Sequence, residues 1–259
     1  MKRLVLTIEY DGTFFHGWQV QPGLRTVQLN IESALTRMMG QTIRVSASGR
    51  TDAGVHALGQ VAHCDVPKRI PPENVALGLN SILPGDVRVV ECRWAPEGFH
   101  SRFRATGKRY RYLILNRRKP TALLRNRVWN IRHPLDLDNM RGGAFYLIGE
   151  KDFFSFRSSG DPGTTVRDMR DISIEKDGDM VTIFFEANGF LKHMVRNIVG
   201  ALVEVGRGRM EPGNLKKLLD SRSRLNAPRK APAQGLTLME VFYLNSPPDS
   251  LTNPVPGGR

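Results

Sequence analysis

The chain has 259 residues, 40% of them hydrophobic. That is enough for one large domain or two ordinary ones with a sizeable core, and no run of about 18 apolar residues is present to cross a membrane. Lys and Arg number 38 against 25 Asp and Glu, a formal charge of +13; such an excess attracts polyanions, nucleic acid above all, and says nothing about a reaction.

The start, Met1-Lys2-Arg3-Leu4-Val5-Leu6-Thr7, turns polar too soon for a signal peptide, so a cytoplasmic protein is expected. Residues 3–9 are rich in Leu, Val and Ile and predict a buried strand. Tyr10-Asp11-Gly12-Thr13 is a turn, and Phe14, Phe15, His16 and Trp18 form an aromatic loop, suited to stacking on bases or to packing on the core. Thr26 reads as an N-cap, Val27, Ile31, Ala34, Leu35 and Met38 follow at helical spacing, and Gly40 stops the helix. Residues 42–48 alternate as a strand, and 59–66 form another. Pro71-Pro72 opens a helix through Ile82 that Pro84-Gly85 ends, and residues 86–94 are a fourth strand.

The pattern then recurs. Strands are expected over 108–115, 168–176, 180–187 and 236–244, with helices over 137–148 and 190–205 and a shorter one ending near Leu219. The fold class is therefore α+β: two similar β-α-β-β-α-β halves forming antiparallel sheets, helices packed on one side, and an active-site cleft between the halves. The expected boundaries are 1–104, 105–245, and a Pro/Ser/Gly-rich tail over 246–259 that reads as disordered. Residues 116–127 stand outside the repeat as a basic insertion, and 158–165 as a Gly/Pro loop.

Cys64 and Cys92 form no CxxC pair, and His63-Cys64 lacks zinc spacing, so two reduced, buried thiols are expected and no metal site. No Walker sequence occurs, and Gly206-Arg207-Gly208 lacks the third glycine of a dinucleotide fingerprint, so no cofactor is called for.

Chemistry concentrates in Ser46-Ala47-Ser48-Gly49-Arg50-Thr51-Asp52-Ala53-Gly54-Val55-His56-Ala57. Asp52 is the single acid between Arg44 and Cys64, framed by two glycines with Arg50 nearby. It reads either as a positioned carboxylate whose charge the arginine favours or as a turn cap. Two further stretches stand out. Phe99 to Tyr112 carries basic residues and then Tyr110 and Tyr112 in alternation, the pattern of ordinary strand residues with one core face. Asn188 to Gly200 places Lys192, His193 and Arg196 at the start of an apolar helix, where Arg196 suits a phosphate or a surface cap, and His193 a structural or RNA-facing place.

Gly49-Arg50-Thr51-Asp52-Ala53-Gly54-Val55-His56, with Gln60 and Val61, resembles the active-site motif of the tRNA pseudouridine synthase A family. The other two stretches and Ala231-Pro232-Ala233-Gln234-Gly235-Leu236-Thr237-Leu238 resemble its later motifs in the same order, so the likeness spans residues 3–245. Arg229-Lys230 and the loop at Gly160-Asp161-Pro162-Gly163 depart from that pattern.

The resemblance implies a cofactor-free isomerase that converts uridine to pseudouridine at positions 38, 39 and 40 of tRNA, in the anticodon arm, and works as a homodimer. It implies Asp52 as the catalytic nucleophile, Arg50 and Arg196 beside it, Tyr110 stacked on the target base and Leu236 walling the base pocket. The rival classes are a non-catalytic RNA-binding protein and a nucleoside or glycoside hydrolase. Most such hydrolases use two carboxylates, whereas the window around Asp52 holds one.

Overall fold

Leu4, Val5, Leu6 and Ile8 are each at most 1% exposed in β1 (Lys2–Tyr10), so successive side chains are buried and both faces of this strand are covered. A computed structural model describes residues 1–67, 70–158, 163–223 and 227–244. The tail expected over 246–259 and part of the 158–165 loop lie outside the described residues. Helix α1 (Val27–Met39) begins and ends where its signals stand: the Thr26 side chain accepts from Leu29 N–H, and Gly40 caps the far end at φ 73°.

The strand expected over 42–48 shrinks to β2 (Ser46–Ala47). Ile43 and Val45 are buried as the alternation requires, but α1 takes their backbone bonds. Val45 N–H donates to Glu32 Oε1 at 2.9 Å, and Gln28 Nε2 donates to Val45 C=O at 3.0 Å. β3 (His56–Val66), α2 (Pro72–Ile82) and β4 (Val87–Trp94) complete the first part.

In the second part, β5 (Ala105–Asn116), α3 (Leu137–Phe145), β8 (Val166–Asp177), β9 (Met180–Ala187), α4 (Met194–Gly206), α5 (Asn214–Ser221) and β10 (Leu236–Tyr243) stand near their expected places. Two short strands, β6 (Trp129–Ile131) and β7 (Gly149–Asp152), went unpredicted because three or four residues carry no readable period. Helix α4 starts four residues later than expected: His193, at φ 64°, breaks the helical path just before it.

The strands run β4-β1-β3-β10-β5-β9-β8-β7, with β2 beside β3 and β6 beside β5. The two antiparallel sheets expected from the sequence are thus one mixed sheet. The physical reason is the truncation of β2. It covers only the Ala62–His63 end of β3. The other end of the same edge is left open, and β10 adds there in parallel, with Thr237 opposite His56 and Leu238 opposite Ala57. The chain between β2 and β3, residues 48–55, therefore emerges at the junction.

Candidate active site

The junction loop is fixed before any ligand arrives. Val55 N–H donates to Asp52 C=O at 3.1 Å, closing a four-residue turn, and Gly54 occupies its third position at φ 78°. A side chain there would be strained, so the glycine is a backbone requirement. Gly49 has a different cause. A Cβ at Gly49 would lie 2.3 Å from Lys108 Nζ, so its missing side chain leaves room for a neighbouring ammonium. Lys108 Nζ donates to Ser48 C=O at 2.9 Å. Gln60, fully buried, clasps the same end by accepting from Ser48 Oγ (2.8 Å) and donating to Gly49 C=O (2.9 Å). Thr51 meets the Tyr10 hydroxyl at 2.8 Å.

The aromatic loop forms the other wall. Trp18 N–H donates to Thr51 C=O (3.0 Å) and Gly54 N–H to Phe15 C=O (3.3 Å). Phe15 and Trp18 are 3% exposed, while Phe14 and His16 face outward. Packing is therefore the main office of these rings.

The resulting loop presents Asp52 to the start of α4. Arg196 Nη1 donates to Asp52 Oδ2 at 2.9 Å, and its Nε donates to Ala231 C=O at 2.9 Å, which anchors the guanidinium between α4 and the segment before β10. His193 Nε2 lies 3.3 Å from the same Oδ2. Lys230 Nζ, which only donates, is 3.3 Å from His193 Nδ1. Nδ1 is thus the acceptor, and Nε2 carries the hydrogen toward Asp52. Burial disfavours charge on Asp52, but His193 and Arg196 outweigh it and hold the carboxyl below its ordinary pKa. Both contacts fall on Oδ2; Oδ1 has no hydrogen bond or ion pair among the described residues.

Tyr110 is 8% exposed, its ring edge-on to Phe190 with centroids 5.1 Å apart. Burial above all, with the Asp52 charge behind it, pushes its hydroxyl up and keeps it protonated. Tyr112 is the packing neighbour, fully buried with its hydroxyl donating to Pro232 C=O at 2.8 Å. Leu236 is buried at the first position of β10, opposite Tyr112.

Arg50 departs from the expectation. It is exposed and has no ion pair or hydrogen bond among the described residues, so the groups favouring the Asp52 charge are the Arg196 guanidinium and the His193 ring. The aspartate turn directs residue 52 inward and leaves residue 50 on the surface. His193 was missed as an Asp52 partner, although its spacing of three from Arg196 was a usable signal. Lys108 and Lys230 were missed because their partners are distant in sequence. Cys64 is buried as expected, whereas Cys92 is half-buried; both are free thiols.

A sheet junction presenting one ionised carboxylate, clamped by an arginine and a histidine and overlooked by a buried tyrosine, defines a site for carboxylate-driven chemistry on a substrate drawn in by positive charge. The family model described as tRNA pseudouridine synthase matches residues 6–104 and 144–244. Relatives called tRNA pseudouridine synthase A include one from Myxococcus xanthus, 46% identical over 96% of this chain and 94% of its own. One from Acetivibrio thermocellus is 44% identical over 94% of this chain and all of its own, and one from Geotalea uraniireducens has the same figures. This chain belongs to the tRNA pseudouridine synthase family, isomerases that convert uridine in tRNA to pseudouridine.

Proposed function

We propose that this chain makes pseudouridine in the anticodon stem and loop of tRNA, at the three adjacent positions its motifs imply, with Asp52 as the attacking carboxylate. The observation that carries the reading is the asymmetry of Asp52: Oδ2 is held by Arg196 and His193, while Oδ1 is unengaged among the described residues. Pseudouridine formation breaks the bond from uracil N1 to ribose C1′ and makes one from C5 to C1′. The C5 proton leaves, N1 gains one, and the base remains an isomer of itself. Attack on C1′, addition to the base, and proton removal toward a glycal all begin from an ionised carboxylate, which the Arg196–His193 clamp maintains.

In this reading Tyr110 stacks on the target base and Leu236 walls its pocket. Arg50, exposed and without a partner in the described chain, meets the RNA beside the opening. The target base leaves its stack to reach Asp52. The site lies in a cleft between two related halves, 1–104 and 105–245. The strand order supports that repeat: β1 lies between β4 and β3 with β2 beyond, as β5 lies between β10 and β9 with β8 beyond. In the same reading the enzyme works in the cytoplasm as a homodimer whose basic surface receives one tRNA.

The experiment is incubation with unmodified tRNA transcripts and mapping of the products. Pseudouridine in the anticodon arm is the expected result. Free uracil would indicate a hydrolase, and an unchanged but bound transcript would indicate a binding protein.

A further inference from the structure

The turn after β4 holds an aromatic ring that the core does not use. Phe103 is 76% exposed, yet its ring is fixed. It stacks on His100 with centroids 4.3 Å apart and planes 32° from parallel. His100 meets His63 at 4.6 Å, His63 meets Phe99 at 6.3 Å, and Phe99 meets Tyr243 at 5.2 Å. The backbone beneath is closed too: His100 Nδ1 accepts from Arg102 N–H (3.2 Å) and Phe103 N–H (3.4 Å). Backed by His100 on one side and open to water on the other, the ring offers a π face to a ligand.

The surroundings are cationic. The Arg102 guanidinium stands 5.9 Å from the Phe103 ring, and its charge acts on Lys108. Neither Arg102 nor Lys108 has a carboxylate partner among the described residues. The turn is also tied to the Asp52 loop. Ser101 Oγ donates to Ser46 C=O at 2.8 Å, and Lys108 Nζ donates to Ser48 C=O at 2.9 Å. Both bonds fall on the few residues that lead into Asp52. An aromatic face beside an arginine without a carboxylate partner among the described residues matches the chemistry of an unpaired nucleotide, a flat base joined to a phosphate.

We propose that Phe103 and Arg102 form a binding subsite for an unpaired nucleotide of the tRNA neighbouring the one that enters the Asp52 pocket. The Phe103 ring takes the base, and the Arg102 guanidinium takes its phosphate. The subsite holds the strand beside the target, so it contributes to affinity and leaves the chemical step alone. The inference rests on the reading that the chain acts on tRNA.

The test measures tRNA affinity for Phe103→Ala, Phe103→Leu and Phe103→Tyr, each also in the Asp52→Asn background so that turnover does not intrude. Loss of one stacked base predicts about tenfold weaker binding for Phe103→Ala. Tyr should restore the affinity, and Leu, apolar but without a π face, should not. Arg102→Gln should lower the slope of log affinity against log salt by about one. The inference is overturned if Phe103→Ala binds as the wild type does, or if Leu restores binding as well as Tyr. It is also overturned if sedimentation shows that Phe103→Ala changes the oligomeric state, which would assign the ring to a contact between copies. A wild type that neither binds nor isomerises tRNA would instead sink the functional reading, so the two failures are distinct.

Discussion

Two aspartates in this fold have matching partners and different offices. Asp52 contacts His193 and Arg196; Asp11 contacts His56 at 3.0 Å and Arg127 at 2.8 Å. Their side chains are similarly exposed, 26% and 32%, so burial does not tell them apart. In each case burial opposes the charge and the polar partners outweigh it, leaving the pKa low. The difference is in the oxygens. Asp11 Oδ1 accepts from Thr13 N–H and from the Thr13 hydroxyl, and Oδ2 accepts from Arg127. Both oxygens are spent on the chain. Asp52 is clamped through one oxygen and keeps the other. An aspartate set between a histidine and an arginine is thus a candidate for chemistry only when its carboxylate retains an unengaged oxygen.

The largest expected effect comes from Asp52→Asn, which keeps shape and removes charge. Single-turnover pseudouridine formation should fall about 10³-fold or more, with tRNA affinity near wild type and the fold retained at a somewhat lower melting temperature, since the ion pair to Arg196 is lost. Near-normal turnover in a folded, tRNA-binding variant would falsify the catalytic assignment. Next comes Arg196→Ala, expected to lower the rate about 10²-fold. It should also raise the Asp52 pKa, so the acid limb of the rate profile moves to higher pH. The sign follows from linkage. A depressed carboxylate pKa contributes stability above its unfolded value that is lost as pH falls through the folded one; without Arg196 that loss begins at higher pH. Unchanged profiles in rate and stability would make Arg196 a phosphate contact.

Much of this was legible in the sequence where cause and effect are local. Thr26 and Gly40 bound α1 because capping needs only nearby residues, and Gly54 marked its turn because positive φ does. The aspartate itself stood out by isolation in an acid-poor window. What could not be read was pairing at a distance. Residues 42–45 had a strand's alternation, but Gln28 and Glu32 captured their backbone, and the resulting gap beside β3 let β10 join the sheet. Arg50 was two residues from Asp52 and turned away, whereas His193 and Lys230 reached the site from far along the chain.

His56 sharpens the comparison from the structural side. It is 1% exposed, Gly12 N–H donates to its Nδ1 at 3.0 Å, and its Nε2 faces the carbonyls of Asn126 (2.9 Å) and Gln234 (3.1 Å). One neutral ring thus joins the first turn, the basic insertion and the segment before Leu236. Burial lowers its pKa. Its contribution is therefore present above the ordinary histidine value and lost as pH falls toward the folded one. His56→Ala should cost about 2–4 kcal/mol by chemical denaturation. His56→Gln should flatten part of the acid loss of stability, while His63, held down to about 4 chiefly by burial, supplies another part. A melting temperature unmoved by His56→Ala would mean that the three segments are joined by other contacts.

The smallest effect is the most discriminating. Asp11→Asn removes the same charge from the second triad as Asp52→Asn removes from the first. Asparagine caps as aspartate does, so Thr13 N–H keeps its acceptor. The bond to Arg127 weakens, but that guanidinium is 49% exposed, and an exposed pair is worth at most about 1 kcal/mol. His56 keeps its bonds to backbone groups, which do not depend on the Asp11 charge. The variant should therefore lose under about 1 kcal/mol of stability, and its single-turnover rate should remain close to wild type. The two asparagine variants, measured side by side on one transcript, separate engaged from unengaged carboxylates. If Asp11→Asn lowers turnover as Asp52→Asn does while its fold is intact, an unengaged oxygen is not what selects Asp52, and the Asp11 triad belongs to the site.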